Sequence, residues 1–323
     1  MSGRKISIVI AAYRGEKYIG PLLESLFAQR VKADEILISD DSPDDATKEE
    51  IDKYLSSSPI PIFYSRNEHV LGAAGNFAHI LGKARGEVIF ICDQDDVWLP
   101  EKMELLLQEL DQHPEMDVVF CNSRVVDGSL NDLGYSTRDV VNFTPGDAEK
   151  LNSGNMRPLF HTPMLYGHNI ALRKRFLHYM LPMPDLPSYD LYIALLAGAM
   201  GCVRCVYKDL TLHRRHGENQ SMQDRPGGVF ARFRQLKNKK KKDTEILDSF
   251  THAQAALERL EKEKEKCSGE NFALLQKHVA YYKARLELHR KSRFLRPFYM
   301  FRIGKAYFES GNSCRSIIRD LLF

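Results

Sequence analysis

Acidic side chains cluster directly after two apolar runs of the sequence. Asp40 and Asp41 follow one run, and the string Asp93-Gln-Asp-Asp-Val-Trp-Leu-Pro100 follows another. Hard oxygen ligands on a short turn suit Mg²⁺ or Mn²⁺, which keep open positions for phosphate oxygens. Without a cation such carboxylates would repel one another and would be costly to bury. The pattern therefore predicts a site for a divalent cation and an anionic ligand.

The segments around these carboxylates alternate between short apolar runs and amphipathic stretches. The apolar runs cover residues 6–11, 35–39, 62–65, 87–92 and 118–121, with a further strand-like run at 203–207. The amphipathic stretches cover residues 16–29, 44–55, 76–83 and 102–112. This alternation predicts a doubly wound α/β sheet with its binding crevice at the carboxyl ends of the strands. The residues expected to converge there are Ala12 and Tyr13, Asp40 and Asp41, Arg66 and Asn67, and Asp93 to Asp96.

The string from Asp93 to Lys102 resembles the metal-binding motif of the family 2 glycosyltransferases, D-x-D-D-x-W-x-P-x-K. These are inverting nucleotide-sugar enzymes of the GT-A fold, a Rossmann-like mixed sheet with helices on both faces. The resemblance implies that Asp93 and Asp95 contact the nucleotide sugar. It also implies that Asp95, Asp96 and His216 hold Mn²⁺ or Mg²⁺, and that Trp98 lies on the acceptor side.

Further strings follow the family's order and indicate a nucleotide site. The nucleotide-side positions that the resemblance implies are Ala11, Tyr13, Asp41, Asn67, Gly72 and Asn76. Tyr13 is the candidate contact to the base, because Ala11 and Ala12 stand where the family more often has a hydroxyl side chain. Asp41 would accept a hydrogen bond from the base, with an N-cap role ahead of the second helix as the alternative.

The resemblance also supplies a general base, since inverting transfer needs a carboxylate to take the acceptor's proton. Asp190, at the start of an apolar helical stretch, is the candidate. The alternative is a helix-terminal Asp that the helix dipole favours. His168 and Asn169 are expected on the acceptor side.

A basic string at residues 212–219 resembles a family string that faces the leaving group. Arg214, Arg215 and His216 would provide cations or a metal ligand for the diphosphate. The alternative is a basic surface loop.

The charge of the chain is divided unevenly. Residues 1–224 carry 23 Lys and Arg against 32 Asp and Glu, a net charge of −9, and residues 225–323 carry 23 against 11, a net charge of +12. We therefore predict a GT-A catalytic domain at 1–224 and a basic helical region at 225–323. The aromatic and basic stretch at 290–323 favours contact with an anionic membrane surface, with a helical cap on the catalytic domain as the alternative. Nucleic acid is not expected, because no recognition motif accompanies the charge.

The overall composition is that of a globular protein, with 43% hydrophobic and 28% charged residues. We expect a cytoplasmic enzyme, peripheral on the inner face of the cell membrane. It would move a sugar from a nucleotide-diphosphate donor to a lipid-linked oligosaccharide acceptor of cell-surface polysaccharide. The resemblance to rhamnosyltransferase-type members favours dTDP-rhamnose, otherwise a UDP-sugar. The alternatives are a nucleotidyltransferase acting on sugar phosphates and a non-catalytic binding module.

Overall fold

The computed structural model describes residues 4–162, 164–216, 239–292 and 294–309, together with Ile317, Asp320 and Leu321. The predicted basic run at 225–238 and most of the terminal segment 310–323 lie outside these residues. Within the described part, no helix is long and apolar enough to span a bilayer.

A mixed sheet of nine strands forms the centre of the described chain. The strands are β1 Ile6–Ala12, β2 Glu35–Asp40, β3 Ile62–Arg66, β4 Val88–Asp93, β5 Val97–Trp98, β6 Val118–Val126, β7 Asp132–Ser136, β8 Ile170–Arg173 and β9 Val203–Arg214. Their spatial order is β3-β2-β1-β4-β8-β6-β9-β5, and β7 pairs with β6. Strands β1 to β4 run parallel, whereas β8 is antiparallel to both β4 and β6.

Helices cover both faces of this sheet, which confirms the predicted α/β architecture. They are α1 Ile19–Phe27, α2 Ala46–Leu55, α3 Gly72–Leu81, α4 Lys102–Gln112, α5 Thr137–Val141, α6 Pro145–Asn152, α7 Arg157–His161, α8 Leu177–Met180, α9 Tyr189–Met200, α10 Lys239–Glu261, α11 Gly269–His289 and α12 Arg296–Glu309. Successive residues of a strand face opposite sides, so Ile8 and Ile10 pack toward α1 and α4, whereas Val9 packs on the other face.

The register of the parallel strands brings their carboxyl ends level. Ala11 pairs with Asp93 across β1 and β4, and Ala12 pairs with Asp40 across β1 and β2. Asp40 in turn pairs with Arg66. The four loops that carry the predicted site residues therefore begin along one edge of the sheet, as expected for this topology.

The C-terminal helices α10 and α11 share the hydrophobic core of the preceding residues. Ala253, Ala256 and Leu260 of α10 and Leu275 of α11 are buried in the same cluster as α9. Helix α9 is apolar on nearly all sides, a pattern typical of a helix that is enclosed by neighbours. Together, α10 and α11 complete its burial.

The structure differs from the predicted elements mainly in the second half of the sheet. Helix α3 begins at Gly72 rather than residue 76, and Gly72 adopts a φ of 71°, which favours glycine. Strand β9 extends to Arg214, well beyond the predicted end at residue 207. Strand β8 was not predicted, because four residues after a 3₁₀ turn give too short a pattern.

Candidate active site

The Asp41 carboxylate organises the edge of the sheet next to β2 and β3. Its Oδ1 accepts a hydrogen bond from the Asn67 side chain at 2.8 Å. Its Oδ2 accepts from the backbone N–H groups of Leu71 and Gly72 at 3.1 and 2.9 Å. Asn76 joins this group through an Asn67 hydrogen bond at 3.1 Å. Hydrogen bonds thus link three of the predicted nucleotide-side residues, Asp41, Asn67 and Asn76. Asp41 also binds the backbone of another of them, Gly72.

The loop after β1 presents Tyr13 with 43% of its surface exposed. Its backbone N–H and carbonyl both bond to the side chain of Gln94, the residue between the first two aspartates of the acidic string. Ala11 lies one strand position from the loop and is partly buried. The predicted base-side and metal-side loops are therefore joined directly, through a glutamine that the sequence reasoning did not single out.

Asp95 faces the end of β9. Its Oδ2 lies 2.8 Å from Nε2 of His216, and the His216 ring stacks on Tyr18 with centroids 4.5 Å apart. Burial, followed by the charges of Asp96 and Asp93, raises the pKa of Asp95 to about 6. A carboxyl group so disfavoured in its ionised form gains most from a nearby cation.

Asp96 is fully buried and belongs to a second group with two histidines. Its Oδ1 accepts hydrogen bonds from Nδ1 of His213 and the backbone N–H of Arg214, both at 3.1 Å. The His213 ring stacks on that of His168 at 4.5 Å, and Nδ1 of His168 lies 3.7 Å from Asp96 Oδ2. Burial opposes ionisation, but the two histidines outweigh it and hold the pKa of Asp96 below its ordinary range. Conversely, although burial lowers it, Asp96 raises the pKa of His213 to about 9.

These contacts divide the expected metal ligands into two adjacent groups. Asp95 pairs with His216, whereas Asp96 lies with His168 and His213, whose ligand atoms all fall within 4.8 Å of one another. Asp96 Oδ2 is buried without a hydrogen-bond partner among the described residues. An orphaned carboxylate oxygen and two imidazole rings, whose nitrogens bind a metal once they are deprotonated, are a donor set that fits a divalent cation. His213 was missed from the sequence, although strand alternation places it on the same side as Thr211.

All three residues expected on the acceptor side are buried. Trp98 is 2% exposed and packs against Phe90 and the Lys102 ammonium, which lies 3.7 Å from its ring centroid. Asn169 is 0% exposed, and its side-chain oxygen Oδ1 accepts a hydrogen bond from Ser123 Oγ at 2.8 Å. The fold encloses both side chains, and the assignment of Trp98 and Asn169 to the acceptor side stays a prediction. His168 is also buried, at 3%, and lies instead beside Asp93 and Asp96.

Lys102, the last residue of the string that begins at Asp93, has a structural role. It is fully buried, and its Nζ donates to the His168 carbonyl at 2.6 Å and to Thr211 Oγ1 at 2.9 Å. Burial lowers its pKa. The lysine therefore connects α4 to the turn that carries His168 and to the strand that carries His213.

Asp190 stands in the first turn of α9 and faces the same crevice. Its Oδ1 accepts hydrogen bonds from the Ser188 hydroxyl and from the backbone N–H of Leu191, the latter at 2.8 Å. Burial raises the pKa of Asp190, opposed by these bonds, and the charge of Asp93 raises it further. A carboxyl group with a raised pKa is suited to general-base catalysis near neutral pH.

The two arginines after β9 differ in their surroundings. Arg214 is 4% exposed, and its guanidinium donates to the carbonyls of Asp95 and Gly128 at 2.9 and 2.6 Å. Arg215 is half-buried and donates to the Tyr135 hydroxyl at 2.9 Å. Arg214 thus ties β9 to the acidic turn, and Arg215 extends the positive charge beyond it.

The fold and the acidic crevice define a GT-A-type sugar-nucleotide transferase architecture. The mannosyltransferase PcManGT from Pyrobaculum calidifontis, in complex with GDP-Man and Mn²⁺, matches with a TM-score of 0.57 at 14% identity, over 96% of this chain and 76% of that one. S. aureus TarS 1–349 in complex with UDP-GlcNAc matches with a TM-score of 0.55 at 18% identity, over 95% and 92%. At these identities the likeness shows the fold, and the predicted GT-A fold is confirmed.

The sequence comparisons give the family. The model of glycosyl transferase family 2 matches residues 7–180, more than half of the chain. This protein belongs to glycosyl transferase family 2, and the predicted enzyme class is confirmed at that level. Among curated relatives, chondroitin synthase from Escherichia coli is 29% identical over 67% of this chain and 30% of its own length. An uncharacterised protein of Mycobacterium tuberculosis is 37% identical over 38% and 36%. The chain thus spans about a third of these relatives' lengths.

Proposed function

We propose that this protein is a metal-dependent, inverting glycosyltransferase that moves a sugar from a nucleoside-diphosphate donor to an acceptor hydroxyl. The observation that carries the proposal is that Asp93, Asp95 and Asp96 stand at the end of β4 in a family 2 chain, with Asp190 near enough for the charge of Asp93 to add to burial in raising its pKa. Carboxylates at the donor side and a separate, half-buried carboxyl group at a helix start are what such a displacement requires.

The chain's own residues divide the work of donor binding. Asp41, Asn67, Gly72 and Asn76 form the base side, with the exposed Tyr13 as a surface for the base. Asp95, Asp96 and His216 would hold Mn²⁺ or Mg²⁺, with His168 and His213 beside Asp96. A bound cation would supply positive charge that balances the diphosphate. Arg215 would add charge on the leaving-group side.

Transfer is a single displacement. The Asp190 carboxylate takes the proton of the acceptor hydroxyl while that oxygen forms a bond to the anomeric carbon of the sugar. The bond between that carbon and the diphosphate oxygen breaks with its electron pair, and the nucleoside diphosphate leaves. Burial of Asp190 raises its pKa, which makes it a stronger base once ionised.

The donor is dTDP-rhamnose or, failing that, a UDP-sugar, and the acceptor is a lipid-linked glycan of cell-surface polysaccharide. Solved structures with this fold hold GDP-Man and UDP-GlcNAc, which supports a nucleoside-diphosphate donor. The relative named chondroitin synthase supports an acceptor that is a glycan chain.

A membrane-facing surface on α12 supports the lipid-linked acceptor. We define the α12 aromatic face as Phe298 and Phe301 of α12 together with Phe294, two residues before the helix, which are 79%, 97% and 88% exposed. The basic residues Arg290, Lys291 and Lys305 lie exposed around it. Exposed aromatic side chains accompanied by basic side chains suit the interface of an anionic bilayer. The enzyme would therefore bind peripherally to the cytoplasmic face of the cell membrane.

Calorimetric titration with UDP, dTDP, GDP and CMP, each with and without Mn²⁺, tests the donor site. Binding of one diphosphate that requires Mn²⁺ is expected and would identify the donor class. Absence of binding by folded protein would contradict the proposal.

For the general base, Asp190→Asn should lower the rate of sugar transfer by more than about tenfold, or roughly 1.4 kcal/mol, without weakening diphosphate binding. A smaller loss would contradict the assignment of Asp190.

A further inference from the structure

A histidine of the C-terminal helix α10 contacts the residue that precedes the α9 helix. His252 is 1% exposed. Its Nδ1 donates a hydrogen bond to the Asp248 carbonyl one turn earlier, at 2.5 Å. Its Nε2 lies 2.9 Å from the Ser188 carbonyl oxygen and 3.2 Å from the Ser188 backbone nitrogen. When Nε2 carries a proton it can donate to the Ser188 carbonyl, and when it does not it can accept from the Ser188 N–H. His252 therefore binds the Ser188 backbone in either protonation state.

Ser188 in turn contacts Asp190. The Ser188 hydroxyl donates to Asp190 Oδ1, the atom that also accepts from the Leu191 backbone N–H. Residues 181–188 form neither helix nor strand. The backbone of Ser188 therefore depends on contacts from elsewhere in the fold for its position, and His252 provides one of them.

Helix α10 is itself fixed to the body of the protein. Arg259, two turns beyond His252, donates to the backbone carbonyls of Tyr179 and His178. Ala253 and Ala256 are fully buried in the core that includes α9. His252 thus connects a rigidly packed helix to the loop before the candidate base.

We propose that His252 is a positioning residue that orients Asp190 through Ser188, so that helix α10 contributes to catalysis through this contact. The inference rests on the proposed role of Asp190 as general base. Small displacements of a reacting group lower rates steeply, by about 10²-fold for 1 Å. Loss of His252 is therefore expected to lower turnover while leaving donor binding unchanged.

The test measures release of nucleoside diphosphate from dTDP-rhamnose, UDP-GlcNAc and GDP-mannose with Mn²⁺ present and water as acceptor. His252→Ala should lower kcat by about tenfold with the donor KM unchanged. His252→Gln, whose amide still reaches Ser188, should recover most of the loss. If His252→Ala does not fold, His252→Asn replaces it, because its shorter amide cannot reach. The control is His278→Ala, a buried histidine of α11 that packs on Phe160, where kcat should not change.

A double-variant comparison distinguishes positioning from general damage. In an Asp190→Asn background, His252→Ala should cause little further loss, because both changes act on the same step. Additive losses, or unchanged kcat in His252→Ala, would overturn the inference. Unchanged kcat in Asp190→Asn would instead overturn the base assignment.

Hydrogen exchange gives a second measurement that needs no donor. The Leu191 amide bonds to Asp190, so amides at 186–192 should exchange about tenfold faster in His252→Ala and at the wild-type rate in His278→Ala. Unchanged exchange at 186–192 in the His252 variant would equally overturn the inference.

Discussion

The side-chain amide of Gln94 pairs with the backbone of Tyr13 through two hydrogen bonds. Gln94 Nε2 donates to the Tyr13 carbonyl at 2.8 Å, and Oε1 accepts from the Tyr13 N–H at 2.9 Å. A Cβ on Gly15 would lie 2.3 Å from that same Oε1, so the loop needs glycine there to admit the pair. The residue between two aspartates of the acidic string therefore holds the loop that carries the exposed Tyr13 ring.

Gln94→Ala should weaken diphosphate binding. Loss of two hydrogen bonds at about 1 kcal/mol each predicts a rise in Kd of about 5–30-fold. Calorimetry with UDP or dTDP and Mn²⁺ measures this change. The control is Gln254→Ala on α10, whose amide donates to Glu258, and its Kd should equal that of the wild type. Equal affinities in all three proteins would mean that Tyr13 does not contact the base.

Asp95→Asn should stabilise the protein when metal is absent. Burial raises the pKa of Asp95 from 3.8 to about 6, so ionisation of Asp95 destabilises the fold progressively as pH rises through this interval. Near pH 7, removal of the Asp95 carboxylate should raise the free energy of unfolding by about 1–3 kcal/mol. Loss of the hydrogen bond between Asp95 and His216 reduces this stabilisation. Urea unfolding measures this. Mn²⁺ should raise the Tm of the wild type and leave that of the variant unchanged.

The pH dependence of kcat should report the raised pKa of Asp190. The base acts in its ionised form, so the rate falls as pH drops through that pKa. Asp93 raises the pKa of Asp190, and Asp93→Asn should therefore move the acid limb of the profile to lower pH. An acid limb that does not move, at saturating donor, would indicate that another group titrates.

Lys102→Met should destabilise the protein. The change leaves the buried His168 carbonyl without its donor and removes the cation over the Trp98 ring. Together these losses predict about 1–3 kcal/mol less stability in urea unfolding. Lys208→Met, at an exposed position of the same strand as Thr211, is the control. Equal stability of both variants would mean that the free-energy cost of burying the Lys102 ammonium is as large as the stabilisation from the contacts it makes.

Replacing the α12 aromatic face should weaken membrane binding. Serine at 294, 298 and 301 removes three exposed rings, each of which would bury apolar surface in a bilayer. Sedimentation with phosphatidylcholine vesicles, with and without phosphatidylserine, should show a loss of at least about tenfold relative to the wild type. Phe63→Ser on β3 alters another half-exposed ring and should bind as the wild type does. Equal binding of all three proteins would rule out the α12 aromatic face as the membrane contact.

The first half of the sheet could be predicted because its signals are local. Strands β1, β2 and β4 contain continuous apolar runs, and parallel pairing alone brings Asp41 and Asp95 to one edge. The contact between Asp95 and His216 spans 121 residues, and it was inferred from a family resemblance rather than from periodicity.

The remaining site residues depend on packing that no local pattern encodes. The burial of Trp98 could not be predicted, because an aromatic residue in an acidic string has the same sequence signal whether it faces a ligand or a core. His213 is defined by the full length of β9, which continues seven residues past its predicted end. His252 stands on a charged helix with an unremarkable pattern, and only the docking of α10 on α9 brings it to Ser188.

The enclosure of α9 by α10 and α11 has a consequence for biosynthesis. Helix α9 carries nine buried residues and the candidate base, but its cover is translated only some forty to ninety residues later. During that interval the nascent chain exposes an apolar helix beside an acidic crevice. The ribosome-bound intermediate would therefore expose an apolar surface of the kind that chaperones bind, and the core around α9 would close only when α10 and α11 have emerged.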